Sequence, residues 1–366
     1  MRYIAVLGRQ PEISIAELSA LFSRVTKISN ELATFSSDKA PNIDRLGGCM
    51  KIATELLETP LEYLQKLPEG KITLGISDFS AKASARRAQG EALKLKKILS
   101  RHGRSVRVVE NKTATLSTAT SLHNGLSGSK ANKVEFILVN EKWWRVIGVQ
   151  NIDAYARRDQ ARPARDAKVG MLPPKLAQIL INLCGELPKG SRILDPFCGT
   201  GVVLQEALLM GYSAYGTDLS ERMIEYSNKN LTWLTQSTES ELFDVSVGDA
   251  TKFCWQGNID AVACECYLGA PMSLPPAEIK LKEQKQECSS IILGFLKNLS
   301  SQITSGTPVT IAVPAWLRPD GHYYRMNLVD EIEDMGYNVK NKSRERLLYY
   351  REGQVVARDI IILRKK

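Results

Sequence analysis

Three aspartates follow apolar runs of the chain at a spacing that suits a nucleotide-binding site. The first begins the loop Asp195-Pro-Phe-Cys-Gly-Thr-Gly201, and Asp218 and Asp249 follow the next two apolar runs. A carboxylate about twenty residues beyond a glycine-containing loop is the position from which nucleotide-binding proteins contact a ribose. Gly199 and Gly201 would let the backbone approach a ligand closely. The spacing therefore predicts a cofactor crevice at the carboxyl ends of three strands.

The chemistry of these positions narrows the predicted cofactor. Free amides at the helix start after the loop would bind a carboxylate, and Asp195 would hold an ammonium group. Asp218 would accept both ribose hydroxyls, while Asp249 and the amide of Ala250 would contact an adenine ring. These ligand groups occur together in S-adenosylmethionine (SAM), which we expect to bind here; NAD is disfavoured because the loop lacks the G-x-G-x-x-G spacing. The other loop and strand-end residues predicted to contribute are Pro196, Phe197 and Leu219.

The alternative for each of these aspartates is a cap on the helix that follows it, a common role for aspartate. Three such residues in order after three successive apolar runs favour the cofactor site over three separate caps.

The residues around this loop predict an α/β domain. Apolar runs with strand character alternate with stretches of helical periodicity, which is typical of a mostly parallel, doubly wound sheet, and the last two strands suggest an antiparallel edge hairpin. The predicted strands cover residues 191–195, 213–217, 243–247, 259–264, 308–313, 337–343 and 354–363. The predicted helices cover residues 172–184, 201–210, 220–234, 285–302 and 324–335.

The N-terminal half has a mixed α/β pattern as well. Strands are predicted at residues 3–7, 72–76 and 105–109, helices at 14–22, 83–102 and 113–126, and a hairpin at 134–139 and 143–149. Ser14, with Glu17 three residues on, is the expected N-cap of the first helix. A polar, arginine-rich stretch after residue 152 predicts a connector. We therefore expect an α/β subdomain at residues 1–70, a second domain at 71–152, a linker at 153–170 and a Rossmann-like domain at 171–366.

Positive charge is concentrated in the N-terminal part of the chain. The net charge is +9, yet residues 1–165 hold 27 Lys and Arg against 16 Asp and Glu, whereas the remainder holds 22 against 24. Such a surface suits a polyanion such as RNA, because each neutralised phosphate releases counterions. A solvated basic surface is the alternative. The candidate RNA-binding residues are Arg86, Arg87, Lys94, Lys97, Arg157 and Arg158.

The composition disfavours several other classes. With 366 residues, of which 43% are hydrophobic, the chain can bury ordinary cores without covalent or metal cross-links. Its seven cysteines are scattered and it has only three histidines, so we expect reduced thiols and no metal site. No run approaches the length of a membrane span and no signal-peptide pattern opens the chain, so the expected location is cytoplasmic, with no membrane partner.

The cofactor loop carries a family resemblance. Together with Arg165-Asp-Ala-Lys-Val-Gly-Met-Leu-Pro-Pro-Lys-Leu-Ala-Gln178, it resembles the THUMP-domain tRNA guanine-N2 methyltransferases. The segments Ala5-Val-Leu-Gly-Arg-Gln-Pro-Glu12, Val106-Arg-Val-Val109 and Ser121-Leu-His-Asn-Gly125 are similar to that family's N-terminal and THUMP regions. The likeness therefore covers most of the chain, although these N-terminal motifs are less specific than the cofactor loop.

The resemblance implies both architecture and partners. It implies a Rossmann-like methyltransferase fold with a THUMP-containing N-terminal region, SAM as cofactor, and tRNA held at its acceptor arm by the THUMP-like region at residues 71–152. Met171 and Leu172 would line the methionine end of the cofactor pocket. The resemblance also raises the prospect of an activating protein subunit as a partner.

The catalytic loop departs from the family pattern. A guanine amine is a poor nucleophile because its lone pair is delocalised into the ring, so an enzyme must accept its hydrogen bonds and aim the lone pair at the methyl group. In the family, an Asp/Asn-Pro-Pro-Tyr/Phe loop does this, and its aromatic side chain stacks on the flipped-out base. The corresponding stretch here is Ala263-Cys-Glu-Cys-Tyr-Leu-Gly269. Glu265 takes the place of the acid, Tyr267 is the aromatic candidate, and both prolines are missing.

The leading hypothesis is a SAM-dependent tRNA methyltransferase acting on the N2 amine of a guanosine, in which Glu265 orients the amine and Tyr267 stacks on the base. DNA amino-methyltransferases share the acid-Pro-Pro-aromatic loop, and the THUMP-like segments argue against them. An RNA-binding protein that retains SAM while its catalytic loop has degenerated would also explain the missing prolines. For the two side chains themselves, an ion pair of Glu265 with a nearby lysine and ordinary packing of Tyr267 are the structural alternatives.

Overall fold

The computed structural model describes residues 1–166, 171–236, 243–342 and 347–366. The chain forms two compact units, Met1–Tyr155 and Ala156–Lys366. Each unit has its own sheet and its own buried core. Among the described residues, no helix combines the length and the apolar character that crossing a membrane requires.

The first unit is built on one mixed sheet of eight strands. These are β1 (Arg2–Leu7), β2 (Ser23–Lys27), β3 (Leu32–Ser36), β4 (Cys49–Glu55), β5 (Ile72–Asp78), β6 (Val106–Val108), β7 (Lys133–Val139) and β8 (Lys142–Val149). Their order is β2-β3-β1-β4-β8-β7-β5-β6. Only β5 pairs in parallel, with β6 and β7. Strands from both sides of residue 70 belong to this one sheet, so the stretches 1–70 and 71–152, which we expected to be separate domains, share it.

Four helices accompany this sheet before the chain enters the second unit. They are α1 (Pro11–Leu21), α2 (Pro60–Gln65), α3 (Ala85–Arg101) and α4 (Thr118–His123). The helix predicted at residues 83–102 is thus confirmed as α3, which Ser84 caps by accepting the amide of Arg87. The predicted hairpin is also present as β7 and β8, whose connecting residues Asn140 and Glu141 have φ of 46° and 64°. Positive φ at both positions matches the twist of the flanking strands.

The prediction that Ser14 caps the first helix is wrong. The helix begins at Pro11, whose fixed φ suits a first turn. Ser14 lies inside it, and its hydroxyl donates to the Gly48 carbonyl over 2.6 Å. The buried carboxylate of Glu17 accepts the amides of Gly47 and Gly48. The two polar residues therefore fasten the turn before β4 to the helix.

The predicted helix at 113–126 is shorter than expected. Only α4 is helical, because the residues before it are tied to β5. The amide of Leu116 donates to the hydroxyl of Ser77 over 2.9 Å, and the side chain of Asn111 donates to the carbonyl of Ile76 over 2.8 Å. These long-range hydrogen bonds hold the segment as a loop against the sheet.

The second unit is an open, mostly parallel sheet with helices between its strands. The strands are β9 (Arg192–Asp195), β10 (Ser213–Asp218), β11 (Phe243–Val247), β12 (Ala261–Glu265), β13 (Pro308–Leu317), β14 (Tyr323–Arg325), β15 (Tyr337–Val339), β16 (Leu348–Tyr349) and β17 (Val356–Lys365). The main order is β11-β10-β9-β12-β13-β17-β15. The first five of these are parallel, and β17 is antiparallel to both of its neighbours. The predicted doubly wound sheet with an antiparallel edge is therefore confirmed.

The helices of this part of the chain are α5 (Ile152–Gln160), α6 (Pro174–Asn182), α7 (Val202–Leu209), α8 (Glu221–Thr235), α9 (Glu278–Ser300) and α10 (Val329–Asp334). The first of them occupies residues predicted as a connector, and residues 167–170 of that predicted linker lie outside the described residues. On α9, Cys288, Ile292, Phe295 and Leu299 are fully buried. Their spacing of three or four residues places them on one face, which packs into the core of this unit.

The predicted helix at 324–335 is wrong in its first turn. Tyr323–Arg325 forms β14, which pairs antiparallel with residues 315–317 of β13, and only α10 is helical. The last residue of the strand predicted at 337–343 lies outside the described residues. The pairing matters for the site because it adds backbone at the carboxyl end of β13, beside the end of β12.

Candidate functional site

The loop between β9 and α7 has the geometry of a ligand cradle. Gly199 and Gly201 have φ of 52° and 80°, a region that favours glycine. A Cβ at Gly199 would meet no atom closer than 3.9 Å, so the backbone there borders open space. A Cβ at Gly201 would lie 2.9 Å from the hydroxyl of Ser227, so that glycine is required for packing. The same hydroxyl donates to the Gly199 carbonyl over 2.8 Å and fixes the turn.

Asp218 ends β10 and holds this loop in place. Its carboxylate accepts the amide of Gly199 and the amide of Ser220, each over 2.9 Å. Burial raises the pKa of Asp218, while these two backbone hydrogen bonds oppose the shift. Two amides occupy two of the roughly four acceptor positions of a carboxylate. The side chain can therefore hold the loop and still accept ligand hydroxyls.

Asp195 ends β9 as a buried acid, only 2% exposed. The amide of Phe197 donates to its carboxylate over 3.1 Å. Burial raises the pKa of Asp195 well above its usual range, and the charges of Asp218 and Glu265 add to that effect. A carboxylate in this position favours a cationic partner, because a nearby positive charge would offset the cost of burying its ionised form.

Asp249 lies just after β11. Its surroundings are the most polar among the three acids Asp195, Asp218 and Asp249. It accepts the hydroxyl and the amide of Thr251 over 2.7 and 3.0 Å and forms an ion pair with Lys252 at 3.3 Å. The hydrogen bonds from Thr251 lower its pKa. The next residue, Ala250, is buried, and its carbonyl accepts from Asn298. The amide of Gly248 donates to the Asp218 carbonyl over 2.9 Å, which brings the two strand ends together.

The apolar residues predicted for the site differ in exposure. Pro196 and Leu172 are buried. Phe197 is half-buried and packs edge-on against Phe295 with ring centroids 5.2 Å apart, whereas Leu219 is 75% exposed. The partly exposed Met171 contacts Arg162, whose guanidinium lies 3.0 Å from the thioether sulfur. Gly170, which directly precedes Met171, lies outside the described residues.

Glu265 is the last residue of β12 and forms an ion pair with an arginine from a distant strand, rather than with the nearby lysine of the structural alternative. Nε of Arg358 donates to its Oε1 over 2.8 Å, and the two side chains are 7% and 15% exposed. Arg358 comes from β17, in which the adjacent charged residues Arg358 and Asp359 interrupt the apolar residues 356–363. Charge in the middle of such a strand is the signal that could have marked this residue.

Tyr267 is tied to α9 and packs partly against the core. Its hydroxyl donates to Glu287 over 3.2 Å. Burial, and then the charge of Glu287, raise the pKa of the phenol. Further along, the amide of Ala270 donates to the side chain of Gln284 over 2.7 Å. The segment 265–270, called here the strand-end loop, is therefore fastened to β17 at its start and to α9 beyond.

The candidate RNA-binding residues separate into exposed and engaged side chains. Arg86, Lys94 and Lys97 are exposed on α3, although Lys94 also pairs with Glu91. Arg87 is partly buried, with ion pairs to Asp78 and Glu141 and a hydrogen bond to Ser80. As for the last two candidates, Arg157 lies over the ring of Trp233, and Arg158 forms two hydrogen bonds with the buried Glu206.

The strand order of the second unit and the acids at the ends of β9, β10 and β12 define a Rossmann-like α/β domain. Domains of this class bind ligands in the crevice at the carboxyl ends of their parallel strands. Across the described ranges, no group of three or more His, Cys, Asp or Glu residues is arranged to hold a metal ion. All seven cysteines are free.

Part of the chain is similar to known methyltransferases. Residues 162–288 match the UPF0020 family model, described as RMKL-like, methyltransferase domain. The chain is 33% identical over 161 residues to a tRNA (guanine(10)-N2)-dimethyltransferase of Methanothermobacter thermautotrophicus, which covers 43% of this chain and 44% of that one. It is 36% identical over 126 residues to the enzyme of the same name from Pyrococcus abyssi, covering 33% and 36%. The matches thus span less than half the length of these relatives.

Among solved structures, the crystal structure of TrmN from Thermus thermophilus aligns with all of this chain and all of its own. The two chains share 16% sequence identity, with a TM-score of 0.48.

Proposed function

We propose that this protein is a SAM-dependent tRNA methyltransferase that methylates the N2 amine of a guanosine. The observation that carries the proposal is the position of Glu265. It ends β12 on the same sheet edge as Asp195 and Asp218, in a chain that is similar to tRNA (guanine(10)-N2)-dimethyltransferases. A carboxylate there is placed to orient an amine beside a cofactor.

The sheet edge fits SAM by its donors and acceptors. Asp195 would pair with the ammonium of the methionine moiety, whose positive charge would offset the burial that raises the pKa of this carboxyl. Asp218 would accept the ribose hydroxyls through its remaining acceptor positions. The open space beside Gly199 admits the ligand close to the backbone. Met171, Leu172, Phe197, Leu219, Asp249 and Ala250 would complete the pocket.

The strand-end loop would bind and orient the guanine base. When bound, SAM supplies an electrophilic methyl group on a sulfonium sulfur. Glu265 would accept a hydrogen bond from the exocyclic amine and so aim its lone pair, and Tyr267 would stack on the ring. The amine becomes cationic as it is methylated and loses its proton readily to water. The site therefore needs no strongly basic group.

The first unit would bind the tRNA as a THUMP-containing region. Its support is the resemblance of residues 71–152 and the exposed cations Arg86, Lys94 and Lys97 on α3. Basic side chains on a folded-RNA-binding protein act mostly through phosphates and shape. Arg87 and Arg158 keep their ion pairs in this proposal and contribute to RNA binding only through their charge.

The test is methyl transfer by the whole chain. Purified protein is incubated with unmodified tRNA and methyl-labelled SAM, and the nucleosides are analysed by mass spectrometry. We expect labelled N2-methylguanosine from tRNA and no label in a double-stranded DNA substrate. A calorimetric SAM titration runs beside it, with Asp218→Ala as the matched control for both measurements.

The outcomes separate the hypotheses. Label in DNA alone would replace the proposal with a DNA amino-methyltransferase. SAM binding without transfer, persisting when cell extract is added as a source of an activating subunit, would identify an RNA-binding protein with a degenerate loop. Failure to bind SAM would overturn the assignment of the cofactor site to the carboxyl ends of the parallel strands.

A further inference from the structure

We propose that Arg358 is a positioning residue of the methyl-transfer site. By its ion pair with Glu265 it would preset the strand-end loop and the direction of the carboxylate that receives the amine. The proposal rests on the proposed function and adds to it a residue that lies 93 positions along the chain from Glu265. It explains how a loop without either proline keeps a defined conformation.

The contact is built into the sheet. Glu265 is in register with Ala312 of β13, and Arg358 is in register with Pro314 of the same strand. Since β13 lies between β12 and β17, the Arg358 side chain reaches Glu265 across one strand. Both partners are mostly shielded from water, so salt screens this pair far less than a surface pair. Its geometry is consequently set by three paired strands.

The ion pair orients the carboxylate as well as holding it. The described contact engages Oε1, which leaves Oε2 as the acceptor for an incoming amine. The Arg358 guanidinium also lies 3.5 Å from the side-chain oxygen of Gln354 and from the Val356 carbonyl. These contacts limit the rotation of the guanidinium, and a fixed guanidinium allows the glutamate only a few rotamers.

Arg358 also offsets a repulsion between two acids. The charge of Glu265 raises the pKa of the buried Asp195, so the two carboxylates repel each other at the proposed cofactor site. An arginine beside Glu265 compensates part of that negative charge. Without it, the carboxylate of Glu265 would be driven away from Asp195 and from the place where the methyl group is delivered.

Three further contacts act on the same loop. The amide of Cys266 donates to the Ala312 carbonyl over 2.9 Å, and Tyr267 and Ala270 are held by Glu287 and Gln284. Proline would restrict this backbone by fixing φ. In the present chain, bonds from β13, β17 and α9 restrict it instead, and the ion pair of Arg358 anchors the end at which the reacting amine is held.

The first test measures the loop without any need for activity. Hydrogen exchange is compared in wild type, Arg358→Gln, Arg358→Lys and Arg364→Gln. Arg364 is the matched control, because it lies near the far end of the same strand and donates to the Gly306 carbonyl. We expect residues 265–270 to exchange about tenfold faster in Arg358→Gln, less so in Arg358→Lys, and at the wild-type rate in Arg364→Gln. Unchanged exchange in Arg358→Gln would overturn the proposal.

The second test is a double-mutant cycle on methyl transfer. Arg358→Gln should lower kcat by about 10- to 100-fold with the tRNA KM and SAM affinity within about twofold of wild type, and Arg358→Lys should restore part of the loss. In a Glu265→Gln background, Arg358→Gln should cost little more, because the two residues act as a unit. Fully additive losses would show that Arg358 acts elsewhere.

The two proposals fail in distinguishable ways. A wild-type chain that transfers no methyl group to tRNA, but whose strand-end loop loosens in Arg358→Gln, would reject the proposed function and keep the role of Arg358 in setting the loop. A fully active Arg358→Gln variant would reject the positioning role and leave the methyltransferase assignment intact.

Discussion

At the scale of single residues, Asp218 combines a structural contact with its proposed role in cofactor binding. Replacing it with alanine removes the acceptor of two loop amides as well as the predicted acceptor of two ribose hydroxyls. We expect Asp218→Ala to weaken SAM binding by about 1–3 kcal/mol, the usual loss for charge-assisted hydrogen bonds. Calorimetric titration measures this directly.

The control for this variant is Asp244→Ala. Asp244 is an exposed aspartate near the start of β11, at the opposite edge of the sheet, where it pairs loosely with Arg192 at 3.6 Å. We expect the Asp244→Ala variant to bind SAM as the wild-type protein does. Equal affinities for Asp218→Ala and wild type would remove Asp218 from the site.

We expect Asp195 to lower the stability of the free protein and to strengthen cofactor binding. Because burial raises its pKa, the folded protein holds this proton more tightly than the unfolded chain does, and the stability it contributes is lost as the pH rises through the raised pKa. Asp195→Asn removes that loss. We expect the variant to melt about 2–4 °C higher than wild type at neutral pH, a shift that corresponds to about 1 kcal/mol, and to bind SAM more weakly.

The pH dependence distinguishes this cause from a general packing effect. Melting temperatures measured without ligand should show the advantage of Asp195→Asn growing as the pH rises from the ordinary pKa of an aspartate to the raised pKa of Asp195. An advantage that is constant or shrinks with rising pH would mean that the buried charge is not its source.

The aspartates of the site could be predicted because strand-end position is encoded locally. An apolar run followed by an acid specifies where Asp195 and Asp218 lie, whatever else the fold contains. Arg358 could not be predicted in this way. Its contact with Glu265 depends on β17 pairing beside β13, and that pairing is set by the whole sheet rather than by a motif around either residue.

At the scale of elements, the contact between α7 and β10 depends on a residue without a side chain. A Cβ at Gly216 would lie 2.5 Å from Leu204 Cδ1 and 3.1 Å from Cys198 Cβ. The helix or the loop would have to move to make room. We therefore expect Gly216→Ala to lower the free energy of unfolding of the second unit by about 1–3 kcal/mol, measured by denaturant titration.

Gly90→Ala supplies the matched comparison. Gly90 lies in the interior of α3, where an added Cβ meets no atom within 4 Å. Alanine should stabilise this helix by about 0.5–1 kcal/mol, because glycine is the poorer helix former. A loss of stability in both variants would point to a general intolerance of substitution and would contradict the packing argument for Gly216.

Element prediction succeeded where local pattern decides and failed where distant contacts decide. The alternation of strands and helices in the second unit was sufficient to predict its sheet. Tyr324 and Arg325 are predicted as helix but belong to β14, because their pairing with residues 315 and 316 of β13 is a tertiary contact. Ser14 has the spacing of a capping box, yet its hydroxyl donates to Gly48, a partner 34 residues away. Periodicity carries no information about either partner.

At the scale of the whole molecule, the uneven distribution of charge predicts that salt acts differently on tRNA binding and on SAM binding. The excess of Lys and Arg lies within residues 1–165, whereas the remainder is nearly neutral. Phosphate contacts weaken steeply with salt, whereas the proposed SAM ligands Asp195 and Asp218 are buried or half-buried, so salt would screen their contacts little. Raising the salt concentration should therefore raise the tRNA KM, with little change in kcat or in SAM affinity.

Reversing charge on α3 tests where those phosphate contacts are made. Each lost phosphate contact flattens the plot of log affinity against log salt by about 0.7–0.9. The triple reversal of Arg86, Lys94 and Lys97 to glutamate should thus reduce the tRNA-binding slope by about two to three and weaken binding at low salt. The same change of net charge at Lys189, Lys229 and Lys297, which are exposed in the second unit, serves as the control. Equal slopes in the two triple variants would mean that only net charge matters, whereas a flatter slope confined to the first would assign α3 to the RNA-binding surface.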